Sequence, residues 1–85
     1  HPDDIEKRPL LLADLPEAAA VNLIIYDCSG RLVCELAKSE HLQAGRHRRA
    51  WDGRDRSGLP VVSGVYFLCM EAGDFMATEK LTLLK

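Results

Sequence analysis

The stretch Trp51-Asp-Gly-Arg-Asp-Arg-Ser-Gly-Leu-Pro-Val-Val-Ser-Gly-Val-Tyr-Phe67 constrains this chain more than any other. Strand-like residues flank a loop dense in Asp, Gly, Ser and Pro. Each of these marks a turn for its own reason. Asp bonds nearby backbone N–H groups, Gly tolerates positive φ, and Pro fixes φ. Nothing in the stretch is laid out for catalysis. It is the framework of a small antiparallel β-sandwich, and a chain whose clearest signal is turn chemistry reads as a module attached to something else.

The rest of the chain has the same grammar. Residues 1–8 are expected to be a linker or leader, and 9–85 a single domain. Leu10 to Leu15 is the first strand candidate, because Pro9 and Pro16 bracket it too tightly for a stable helix. Val21-Asn-Leu-Ile-Ile-Tyr26 is the strongest, with Val21, Leu23 and Ile25 on one face at period two. Asp27-Cys-Ser-Gly30 supplies a turn, and Arg31 to Leu36 returns as the second arm of a hairpin. Lys38 to Gly45 reads as a loop. Arg46 to Trp51 alternates, with His47, Arg49 and Trp51 on one face. Val61 to Met70 is strand, Glu71 to Asp74 a turn, and Phe75 to Lys85 the last strand, with Leu81 and Leu83 inward. These segments predict an all-β, Ig-like sandwich of about seven short strands.

Bulk properties narrow the function. Eighty-five residues hold one core and leave little room for a deep substrate cleft. A net charge of −2 gives no global attraction to nucleic acid. No apolar run nears the roughly 20 residues that span a bilayer. Cys28, Cys34 and Cys69 lack metal-site spacing. One bridge with a free thiol, or three free thiols, both fit them. If Val33 points inward, Cys34 points out. If Tyr66, Leu68 and Met70 point inward, Cys69 points out as well. The pair is therefore expected on one outer face, as candidates for a disulfide.

Three sets of residues, in order and spacing, carry a family likeness. They are Leu15-Pro-Glu-Ala with Ile25-Tyr-Asp and Ser29-Gly-Arg; Ala44-Gly-Arg-His with Trp51-Asp-Gly-Arg-Asp and Ser57-Gly; and Ser63-Gly-Val-Tyr-Phe with Glu71-Ala-Gly and Thr78-Glu-Lys. Over residues 10–85 the chain resembles the Ig-like type IX secretion (Por) C-terminal sorting domains. These are similar in turn to the Ig-like domain of the flagellar hook-capping protein. The resemblance implies a non-catalytic module that directs export of an attached protein, in the periplasm in transit and then at the cell surface or secreted. Its partner would be the outer-membrane secretion machinery or a neighbouring domain. The sorting features would fall on Gly64 and Tyr66 of a Gly-x-Tyr element and on Lys80 and Lys85 of the final strand. The alternative is a structural, assembly or accessory Ig-like domain, hook-cap-like or the spacer of a secreted hydrolase. The sorting family opens with an Asn-Pro-rich segment, where this chain has Asp-Asp-Ile-Glu-Lys-Arg-Pro9. It also has an apolar residue where this chain has Arg49.

Other chemistry is weakly signalled. The run Arg46-His-Arg-Arg49 offers cations to a phosphate-rich glycolipid, but reads better as a solvated strand face with Arg49 snorkelling past the core. Asp52 and Asp55 are two carboxylates where calcium needs six to eight oxygens, with Arg54 and Arg56 in the way. They are expected to form Asx turns. His47 has neither a nucleophile nor an orienting carboxylate near it in sequence, and Trp51 is the expected core anchor. No cofactor or metal is expected, and no enzymatic activity.

Overall fold

The computed structural model describes residues 9–11 and 14–84, and these form strands and turns without a helix. The strands are β1 (Pro9–Leu11), β2 (Ala19–Asp27), β3 (Leu32–Leu42), β4 (Arg48–Ala50), β5 (Gly64–Ala72) and β6 (Phe75–Leu83). One sheet has the order β3-β2-β5-β6 and the other pairs β1 with β4; every pairing is antiparallel. The leader expected over residues 1–8 lies outside the described residues.

Period-two patterning builds the core. Val21, Leu23 and Ile25 are fully buried on β2. The register sets Leu23 against Met70 and Ile25 against Leu68, so the inward rows of β2 and β5 coincide. Each such aliphatic side chain contributes on the order of 2 kcal/mol when removed from water. Leu15, Ala37, Leu42, Trp51, Tyr66 and Leu83 close the cluster. Leu81 packs half-buried against it. No polar or charged residue is buried among the described residues.

The described residues hold six strands rather than seven. The segment expected as Leu10–Leu15 is represented by β1 and by an isolated bridge from Leu15 to Gly45. The larger correction is at β3, which continues to Leu42 through residues expected to be a loop. That part is polar because it lies at a sheet edge, and it holds the first of three slips in the β2–β3 register, between Val21 and Leu23. At one slip Ser39 takes φ 50°, and the Asn22 side-chain oxygen accepts the Ser39 N–H at 2.8 Å. Extra residues in one strand of a pair are β-bulges, and they reset which face the following side chains occupy. The β5–β6 hairpin is regular: Ala72 pairs with Phe75 across Gly73-Asp74. Gly73, at φ 62°, is the left-handed first position that a tight two-residue turn needs.

Candidate functional site

Two loops share one construction. In Asp27-Cys-Ser-Gly-Arg31 and in Asp55-Arg-Ser-Gly-Leu59, the Asp N–H donates to the carbonyl of the fifth residue, at 2.9 and 2.8 Å. The Gly N–H donates back to the Asp carbonyl, at 3.0 and 2.9 Å. The Asp Oδ1 accepts the Ser N–H at 2.9 Å in both loops. It also accepts the N–H of the fifth residue, at 3.0 and 3.1 Å. Gly30 and Gly58 sit at φ 89° and 86°, a conformation that side chains disfavour. At Asp27 the Ser29 hydroxyl adds a 2.7 Å bond. That bond, with the Arg31 N–H, holds the Asp27 carboxyl below the usual range. The sequence spells Asp-x-Ser-Gly at 27–30 and again at 55–58, and the matching bonds show that the two turns are one device.

The second loop is anchored to the core. Trp51 is buried, and its indole N–H donates to the Arg54 carbonyl at 3.1 Å. Its ring meets Tyr66 edge-on, with centroids 5.1 Å apart. The Tyr66 hydroxyl donates to the Val62 carbonyl at 2.6 Å. Val61 N–H bonds Gly53 O, and Arg56 N–H bonds Val33 O on β3, at 2.9 and 3.0 Å. Between this loop and β3 lies a concavity of about 390 Å³, lined by Cys34, Trp51, Asp52, Arg54, Asp55 and Arg56 among others. Its charges alternate in sign, so no single-sign field selects an ionic ligand. A second hollow, of about 270 Å³, lies between Leu15–Ala19 and the β5–β6 turn.

The polar side chains that promised chemistry are engaged locally. Asp55 serves its turn. Asp52 accepts the Arg54 N–H at 3.2 Å and lies 3.8 Å from the Arg54 guanidinium. Among the described residues, no three potential ligands gather for a metal. His47 Nε2 lies 2.6 Å from the Gln43 carbonyl. In the basic run, Arg46 pairs with Asp14 at 3.3 Å and half-buried Arg49 pairs with Glu40 of β3. Arg48 is exposed. The alternation expected over Arg46–Trp51 appears in the burial, with 47, 49 and 51 turned in.

Three of the four residues matched to sorting features lie on the neighbouring strands β5 and β6. Gly64 opens β5, half-buried, and Tyr66 is 5% exposed in the core. Lys80 is exposed on β6. Lys85 lies outside the described residues.

The expectation that the candidate pair Cys34 and Cys69 shares an outer face is corrected. All three cysteines are free. Cys34 lies opposite Ile25, while Cys69 lies opposite Ile24, on the other face of the sheet. β2 separates their strands, which puts them roughly two strand spacings of about 4.8 Å apart, beyond the ~7 Å that a bridge spans. The cause is the slip between Ile25 and Tyr26, which turns both Val33 and Cys34 inward, at 8% and 7% exposure. Burial then pushes the Cys34 thiol up to about 11. Cys28 is exposed at the hairpin tip.

An antiparallel four-stranded sheet, a two-stranded partner, an aromatic anchor and a tyrosine tied back to upstream backbone define an Ig-like β-module. A model of the FlgD Ig-like domain matches residues 7–74. The chain belongs to that family, the flagellar hook-capping side of the resemblance, which is non-catalytic and structural. No curated protein matches the chain.

Proposed function

We propose that this domain is a structural or accessory module that packs against neighbouring protein, holding a larger exported protein or assembly together. One observation carries the reading. Asp27, Asp55, Trp51 and Tyr66 hold two turns and the loop over β3 in place. That arrangement makes a rigid body with a defined surface and takes up the groups that chemistry would need. Removing residues 14–84 from the parent protein should leave the parent's other domains folded, by circular dichroism and proteolysis. It should abolish assembly, read by sedimentation or electron microscopy. Unchanged assembly would overturn the reading.

Export through the type IX system is the second reading. It draws support from exposed Lys80 on the final strand, within reach of a receptor. A reporter carrying a signal peptide and residues 9–85 should reach the surface of a bacterium with that system. Retention in the periplasm would sink this reading and leave the first intact.

A further inference from the structure

The packing role leaves open which surface meets the partner, and the two edges of the four-stranded sheet are not equivalent. β3 is interrupted by three register slips and by the left-handed Ser39. The Asp52–Pro60 loop also bonds it at Val33. β6 pairs with β5 without a break over nine residues, from Gly64–Leu83 to Ala72–Phe75. It contains neither Pro nor Gly. Among the described residues no strand lies on its other side. Such an edge presents unpaired N–H and C=O groups to an incoming strand.

The side chains along β6 specify what would fit. On the core side, Ala77 and Leu81 are half-buried, and Glu79 between them is exposed. On the outer side, Lys80 is flanked by Thr78 and Thr82, all exposed. A second copy is a poor occupant. A two-fold edge pairing keeps the core sides together. The one such register using all nine residues is centred on Glu79 and sets two Glu79 side chains face to face, which is destabilising. We infer that β6 takes up an extended segment of another protein by antiparallel strand addition. Opposite Leu81, Lys80, Glu79, Thr78 and Ala77, that segment carries in order an apolar, an acidic, a basic, any, and an apolar residue. Main-chain bonds supply affinity and the alternating side chains supply selection.

The test uses the 85-residue chain and two capped, labelled peptides. Thr-Val-Glu-Lys-Thr-Val-Thr matches the pattern, and Thr-Val-Lys-Glu-Thr-Val-Thr swaps its charges. The matched peptide should bind about tenfold more tightly by fluorescence anisotropy, because two cross-strand pairs change sign. A Glu79→Lys/Lys80→Glu double variant should invert the preference. Both positions are exposed, and the wild-type comparison stands even if the variant misfolds. Equal affinity for the two peptides, binding to neither, or a β6-mediated dimer in sedimentation that neither peptide disperses would each overturn the inference. The packing role rests separately on the deletion experiment.

Discussion

β3 and β6 bound the same sheet and are built on opposite principles. β3 is long, polar and bulged, with Asn22 supporting Ser39 and a core-anchored loop bonded to Val33. β6 is regular and carries only one charged pair, Glu79-Lys80, at its middle. Bulges, charges and covering loops are the ways in which sheets block unwanted pairing. One edge of this module is therefore closed by structure, while the other is guarded by two side chains. Closure by structure costs core complexity; guarding by charge leaves the edge selective for a partner with the opposite pattern.

The largest effect expected is at the anchor of the closed edge. Trp51→Ala should cost about 3–5 kcal/mol, a large share of the stability of a domain this size, read as a fall in the urea midpoint. Trp51→Phe should keep the packing but lose the bond to the Arg54 carbonyl. Amide exchange should then accelerate at the loop and at β3 around Val33, with β6 unchanged; uniform acceleration would break the contrast.

Next is the bulge that buries Cys34. Its thiol is raised to about 11 from 9.0, so the native state holds its proton more tightly than the unfolded chain. Stability should be intact below about pH 9 and fall by about 2 kcal/mol as pH rises to about 11. Cys34→Ser should remove most of that slope. In alkylation of the native protein, Cys28 should react first and Cys34 last.

Asp55→Ala leaves two backbone N–H groups of the covering loop without their acceptor and should cost about 1–2 kcal/mol. The same change at Asp27 removes the acceptor of the matching two N–H groups and of the Ser29 hydroxyl, and should also lower the urea midpoint. The depressed carboxyl of Asp27 works in the opposite pH direction to Cys34. Its contribution is present above the ordinary carboxylate value and is lost as pH falls below it through the native value. Asp27→Asn should flatten that acid limb of the stability profile.

The smallest change sharpens the contrast most locally. Ser39→Gly relieves a left-handed backbone and should raise the melting temperature by about 2–4 °C, equivalent to ~0.5 kcal/mol. Ser39→Val should lower it by more than that.

Much of this was legible in the residues. The alternation of Val21, Leu23 and Ile25 placed β2, and the Gly-Asp pair at 73–74 placed the final hairpin. The Asp-x-Ser-Gly turns could be read as turns, though not as two copies of one device until their bonds were compared. The polar run Lys38–Leu42 misled, because an edge strand need bury only one thin row and so looks like a loop. Tyr66 stood out within a short motif, yet its hydroxyl is held by Val62 and its ring by Trp51.

Local chemistry determined what the sequence alone could determine: where the chain turns, which strands alternate, and that the core is apolar. Those properties depend on residues a few positions apart. Tertiary structure decided the face of Cys34, the closure of β3 and, among the described residues, the open edge of β6. Each depends on register, and a one-residue slip in one strand reverses every side chain beyond it.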